Sequence, residues 1–257
     1  MKAGIKNLVM LLAVVCLTIL FLPVEKTFAA NSETVIDTKY GVIINDKTIS
    51  RVDVVGTYRE DNSQFAENIK ILIKDVKTNK TVLTIKPKTN AGYGPSIIIE
   101  NFTGGKLSQI FLGINSGGSG GYGYFYVFSV ENKKTKTLFD YENWKYNYTA
   151  NYIDGYKVKV SSEDGKQNYL IDLSLRDKEY LSQIYNSDGT LIKPVQGGVS
   201  AINTVFPYFN STQNIFQLQV MQRITGLYNA DGLGYVINQL EYKDGKFIPY
   251  FTMVGIL

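Results

Sequence analysis

The stretch Asn68 to Asp75 reads NIKILIKD, and its strict alternation puts Ile69, Ile71 and Ile73 on one face. A period of two is the repeat of a half-buried β-strand; helical side chains return to one face only every three or four residues. The pattern recurs at Arg51 to Tyr58 (RVDVVGTY) and Thr81 to Ile85 (TVLTI), the latter reached through the turn Thr78-Asn79-Lys80. Ser96 to Ile99, Gln109 to Ile114, Tyr122 to Val130 and Lys136 to Phe139 continue it. In the second half, Asp154-Gly155 leads into Tyr156 to Val160 and Asp164-Gly165 leads toward Tyr169 to Leu173, as turn-and-strand pairs do. Strands resume after Thr204 and end in a hairpin, Tyr235 to Tyr242 and Phe247 to Val254 around Lys243-Asp244-Gly245-Lys246. Ser174 to Tyr185 alone has helical spacing, with Leu175, Tyr180, Leu181 and Ile184 able to share a face, and Val195 to Ser200 (VQGGVS) reads as a loop. The expected fold is all-β, mostly antiparallel, with one short helix.

The first residues carry an address. Lys2 and Lys6 precede the 15-residue apolar run Leu8 to Leu22, and Pro23 and a short polar stretch lead to Thr27-Phe28-Ala29-Ala30. Small residues at Thr27 and Ala29 suit a signal peptidase, so residues 1–29 read as a secretory signal peptide cut after Ala29, with Ala30 as the alternative. The competing reading is an uncleaved anchor, but about 20 apolar residues are needed to span a bilayer. Cys16 follows Ala13-Val14-Val15 in mid-run, where a lipobox would want a small residue directly before it. No stable membrane insertion is expected after cleavage, and residues 30–257 read as a single β-rich domain, because no Pro- or Ser-rich linker divides them.

Composition then removes chemistries. Cys16 is the sole cysteine and the sequence has no histidine. A Ser-His-Asp triad, an imidazole zinc site and a thiol nucleophile beyond the signal segment are therefore excluded. Without Lys2, Lys6, Lys26 and Glu25, the 27 basic and 23 acidic residues become 24 and 22, too balanced for a nucleic-acid partner. An exported chain without disulfides suits a Gram-positive type of secretome.

Ser96 to Leu112 and Thr204 to Val220 share one layout, an apolar strand, a polar loop, then Gln109 or Gln217 before further apolar residues. Units of 40 to 50 residues with several strands are what a β-propeller uses. On Ile97 to Val130 and Pro207 to Phe251, the latter containing QRITGLYNADGLGYV (Gln222 to Val236), the chain resembles secreted Bacillus- and Clostridium-type proteins with propeller repeats of the VCBS or FG-GAP kind. The resemblance implies propeller-like repeats, with a β-sandwich as the alternative, and a surface location. In such repeats a D-x-T/N-x-D-G-x-x-D/E loop can bind calcium. Asn101, Thr103, Gly105 and Gln109 stand at those positions in the first loop, and Phe209, Ser211, Gln213 and Gln217 in the second. No carboxylate is among them, so no metal or other cofactor is expected, and the two glutamines read as hydrogen-bonding to backbone.

The run Asn115 to Val130 (NSGGSGGYGYFYVFSV) contains G-x-G-x-x-G at Gly118, Gly120 and Gly123. A dinucleotide loop must open a helix, and an aromatic strand follows instead, so Gly117, Gly118, Gly120, Gly121 and Gly123 read as a turn between strands. Tyr122, Tyr124 and Tyr126 would line one strand face, as packing or as an aromatic platform. Trp144, Tyr146 and Tyr148, in NWKYNYTAN, form a more exposed-looking cluster suited to a glycan, or a hinge. Asn229-Ala230-Asp231-Gly232 reads as a turn that Arg223 would pin by pairing with Asp231; the functional alternative is a polar ligand site of Arg223, Tyr228, Asn229 and Asp231. Asp140 with Glu142, and Glu163 with Asp164, are adjacent acids that would rarely face each other across a sugar bond. The functional expectation is an exported, non-catalytic binding or scaffolding protein at the cell surface, its partner an envelope glycan or protein. The alternatives are a carboxylate-dependent glycoside hydrolase acting on wall glycan and a structural envelope or spore-layer protein.

Overall fold

The computed structural model describes residues 32–58, 63–118 and 120–257. Within them, 15 strands form three sheets, and every pairing is antiparallel. The first sheet holds β1 (Thr34–Gly41), β2 (Ser50–Tyr58), β3 (Phe65–Asp75), β4 (Thr81–Ile85), β5 (Gly92–Glu100), β6 (Gln109–Asn115), β7 (Gly123–Glu131) and β8 (Lys134–Asp140). Its order is β1-β2-β3-β5-β6-β7-β8, with β4 also on β3. A 3-10 turn, Tyr141–Asn143, leads to a second sheet of β9 (Tyr148–Ile153), β10 (Lys157–Ser162) and β11 (Asn168–Asp172). After the short helix α1 (Lys178–Ser182), β12 (Gly198–Asn210), β13 (Ile215–Thr225), β14 (Gly232–Lys243) and β15 (Lys246–Ile256) make the third sheet in sequence order. All these elements belong to one compact unit, Glu33–Leu257.

The first sheet is strongly rolled. A bulge between Val35 and Asp37 turns the Asp37 side chain toward β5, and its Oδ2 accepts the Ile97 N–H at 3.0 Å. Inside the roll, the alternating isoleucines of β3 meet Val52, Val54, Ile97 and Leu112, all essentially fully buried. The opposite face of β2 carries Asp53, which has no exposed surface. Its Oδ1 accepts from Thr38 Oγ1 and Arg51 Nε, both at 2.8 Å, and Lys74 Nζ lies 2.8 Å from Oδ2. Burial alone would raise this carboxyl; hydrogen bonds from Lys74, Thr38 and Arg51 outweigh it and hold it below the usual carboxylate range.

The third sheet joins the other two. Leu218, Val220 and Leu240 on its inner face pack with Phe111, Phe125, Val127 and Phe139 of the first sheet, whose central strands are thus buried on both faces. Further along the same face, Ile224, Leu233 and Val236 pack with Ala150, Tyr152, Val158 and Val160 of the second sheet. Tyr126 is buried with its hydroxyl accepting the Thr89 N–H at 2.9 Å, so the alternating tyrosines of β7 serve packing.

The all-β expectation holds, but the described residues form neither a closed barrel nor a ring of blades. Sheets of eight, three and four strands do not repeat a four-stranded unit, so the propeller-like reading gains no support from this topology. The similar strand-loop-strand segments are two hairpins, β5-β6 and β12-β13, in different sheets. The two hairpins touch, with the Phe216 N–H of β13 donating to the Asn101 carbonyl of the β5-β6 loop at 2.8 Å. Gln109 bonds backbone as expected, accepting from Phe102 N–H at 2.7 Å and donating to the Leu107 carbonyl at 2.6 Å. Gln217 instead engages side chains, those of Tyr208, Asn210 and Gln213.

The helix covers only Lys178–Ser182, capped by Asp177, whose carboxylate accepts the Tyr180 N–H at 2.7 Å. Leu175 is fully exposed, which removes it from the expected apolar face, whereas Ile184 is fully buried. Part of the expected loop Val195 to Ser200 is strand, since β12 begins at Gly198. The signal segment 1–29 lies outside the described residues. No helix among the described residues is long and apolar enough to cross a membrane.

Candidate functional site

Residues 141–148 carry the chain from the first sheet to the second. Asp140 caps the 3-10 turn, accepting from Glu142 N–H at 3.0 Å and Asn143 Nδ2 at 3.1 Å. Trp144 then leaves in an extended conformation, φ −63° and ψ 129°. Its indole N–H is shared between the Tyr146 carbonyl at 2.9 Å and Gln222 Oε1 at 3.0 Å. Buried Gln222 belongs to β13, so this bond ties the connector to the third sheet. The Tyr146 ring lies 4.9 Å from that of Trp144 and keeps 41% of its surface exposed. Tyr148 turns inward, its hydroxyl 3.0 Å from Gln167 Oε1 and 3.1 Å from Asn238 Oδ1, and burial raises its pKa.

Two open grooves flank this segment. The larger, about 490 Å³, is lined by Tyr146 and Tyr148 together with Lys145, Lys166, Glu163 and Gln167. The smaller, about 390 Å³, is lined by Trp144 and Tyr146 with Asp140 and Phe139. Tyr146 and Lys145 border both. The third sheet supplies the opposite walls through β15, with Pro249 and Thr252 in the first groove and Phe247 and Ile248 in the second. A half-exposed aromatic ring between two polar-rimmed clefts can stack against a ligand while amides and charges on either side fix its register. Asn238 lies behind two of the first groove's lining residues, Tyr148 and Thr252. It is fully buried, its Oδ1 is held by Tyr148 and Thr252, and its Nδ2 has no partner among the described residues.

The second candidate set is rearranged. Asp231 is buried, but its partner is not Arg223. Tyr180 donates its hydroxyl to Asp231 Oδ2 at 2.7 Å, the Leu227 N–H reaches the same oxygen at 2.9 Å, and Arg176 stands 3.9 Å from Oδ1. Tyr152 and Tyr180 share a 2.6 Å hydroxyl contact, and Arg176 lies over the Tyr180 ring while donating to the Gly232 carbonyl at 3.0 Å. Burial, followed by the bonds to Tyr152 and Asp231, raises the Tyr180 pKa. This network fastens α1 and β9 to the 226–231 turn. Arg223 borders Gly232 instead, and its buried Nε has no partner among the described residues. Tyr228 and Asn229 project into solvent at the turn tip.

A model of the YybI C-terminal domain matches residues 146–255. A Bacillus subtilis (strain 168) protein, described as "Uncharacterized protein YybI", is 33% identical over 220 residues, spanning 85% of this chain and 83% of that protein. The chain belongs to the YybI family. The match to the YybI C-terminal domain begins at Tyr146, the residue between the two grooves, and takes in the second and third sheets. The matched segment thus begins within the connector, and the propeller-repeat resemblance has no counterpart in the match. Gln222 to Val236 lies inside the matched residues.

The remaining sequence candidates have local tasks. Asp164 accepts from Ser162 Oγ and the Lys166 N–H in the β10-β11 turn; these bonds bring its pKa down to about 2. Glu163 accepts from Asn147 Nδ2 at 3.1 Å, and Glu142 pairs with Lys88. The glycine run is the β6-β7 hairpin loop, since Asn115 pairs with Gly123 and the Ser116 N–H donates to the Tyr122 carbonyl at 2.9 Å. Gly117, Gly118 and Gly121 have φ of +81°, +80° and +64°, which explains glycine there. Gly120 fixes the loop to β12, its carbonyl accepting from Asn203 Nδ2 at 2.8 Å. Sequence reasoning found the aromatic cluster but missed Lys145, Gln167 and Thr252 in the groove. It also missed the Tyr152, Tyr180 and Arg176 contacts, which join residues far apart in sequence.

Proposed function

We propose that this protein is an exported, non-catalytic binding module of the cell surface that engages an envelope polymer, glycan or protein, through Trp144, Tyr146 and the grooves beside them. The observation that carries the reading is the half-exposed Tyr146 ring, braced by Trp144 and bordered on both sides by open polar clefts. Its export is proposed from the basic start, the apolar run Leu8 to Leu22 and the small residues at Thr27 and Ala29. The braced geometry favours binding over catalysis, because the acids near the grooves are engaged in a cap, a turn and local hydrogen bonds. The test is retention of the purified chain on isolated envelope fractions, namely whole wall, wall stripped of protein and wall stripped of secondary polymers. Retention on at least one fraction, lost on Tyr146→Ala, is the expected result. An absence of retention on all three refutes the proposal.

A further inference from the structure

The outer face of the third sheet contributes to no core cluster among the described residues. Its inner face packs on the other two sheets, whereas Phe206, Met221, Ile237, Phe251 and Met253 belong to no core cluster. Register aligns the outer face in transverse rows. Phe206, Gln219, Gln239 and Phe251 stand opposite one another from β12 to β15, and Thr204, Met221, Ile237 and Met253 form the next row. Both phenylalanines at the row ends are exposed, at 39% and 48%. The bulge opposite Gln239 and Leu240 leaves Tyr250 as an extra residue, so Tyr250 and Phe251 share this face although adjacent in sequence. Tyr250 is held there by its hydroxyl, which meets Tyr208 OH at 2.8 Å and Gln239 Oε1 at 3.0 Å. The Gln219 amide at the centre makes no hydrogen bond to another described residue.

We infer that this face is a binding platform for an uncharged polysaccharide chain, separate from the grooves at Tyr146. Two arguments choose that occupant. These two rows contain no charged residue, with Arg223 in the next row on one side and Glu241 beyond Gln239 on the other, while exposed rings beside amides that both donate and accept match the apolar ring faces and paired hydroxyls of neutral sugars. Four strands about 4.8 Å apart and two rows about 6.8 Å apart cover roughly 260 Å². A standard protein interface takes about 800 Å² per partner, so the face is small for a second copy and wide enough for a narrow chain.

The test is affinity electrophoresis of the full-length chain in native gels containing hydroxyethyl-cellulose, glycol chitin or carboxymethyl-cellulose. At least one uncharged polymer retards migration, and the anionic cellulose acts about tenfold more weakly. Phe206→Ala and Phe251→Ala each weaken retardation about tenfold, the effect of one lost stacking ring. Gln219→Ala, which breaks no internal bond, weakens it with an unchanged melting temperature, and Leu170→Ala, at an exposed position of the second sheet, leaves it within about twofold. Retardation by neither uncharged polymer overturns the inference. So does a loss that follows Tyr146 rather than Phe251, which would leave the groove reading standing, or a dimer in sedimentation that Phe251→Ala dissociates.

Discussion

Asp53→Asn is expected to destabilise the protein by about 3 kcal/mol. Arg51 and Lys74 stand directly opposite each other on β2 and β3, and like charges so placed repel. Asp53, two residues along the same strand, binds both at 2.8 Å. The amide keeps the shape but removes the charge, leaving the two cations facing each other. Deleting one member of a buried ion pair costs about 3–5 kcal/mol. Arg51 keeps 32% of its side chain in water and Lys74 16%, which allows partial rehydration and favours the lower end. Guanidinium unfolding at pH 7 measures the difference, with an unchanged slope indicating an unchanged native state. The pH dependence has a definite sign. The folded carboxyl lies below its unfolded value of about 3.9. Its contribution is therefore present above that value and disappears as pH falls through the folded pKa. Wild type and Asp53→Asn should differ at neutral pH and converge at strongly acidic pH. A neutral-pH difference below about 0.5 kcal/mol, or a constant gap down the acid limb, would refute the charge argument.

Three other substitutions test the frame around the candidate site. Trp144→Phe leaves buried Gln222 Oε1 without its indole donor and should cost about 1–3 kcal/mol in denaturant unfolding. Tyr180→Phe removes the hydroxyl between Tyr152 and Asp231 and should cost about 1.5–3 kcal/mol, with a blank result if the contact is incidental. Gly226→Ala places a Cβ against Asp231 Oδ2 and the Tyr152 hydroxyl, so its melting temperature should fall at least as far as that of Tyr180→Phe.

Local periodicity made most strands legible, because the side chains of β3, β13 and β14 alternate between a buried and a less buried side. It failed at β9, where Thr149 and Asn151 alternate with Tyr148, Ala150 and Tyr152. Read as part of an aromatic cluster, that stretch hid its strand. It also failed at β1, a half-exposed edge strand with no clean apolar side. The glycine run was readable because a hairpin loop is a local object. Sheet membership was not, since the two similar hairpins differ in what they pack against, and packing partners are non-local. The same limit explains the acid at position 231. Arg223 is near it in sequence but borders Gly232 instead, and the segment around α1 brings Arg176 and Tyr180 from more than 50 residues away. At the grooves, Trp144, Tyr146 and Tyr148 announced themselves by aromatic density. Lys166, Gln167 and Thr252 are ordinary polar residues that gain meaning only through the approach of β15.

The most direct measurement is saturation binding of the labelled full-length chain to isolated cell envelope, with wild type and Tyr146→Ala compared side by side. Because the ring is 41% exposed and lies between both grooves, its removal should leave the melting temperature unchanged and weaken binding about tenfold. Equal binding by the two proteins, or no saturable binding by either, would contradict a surface-binding role for the Trp144 to Tyr148 connector.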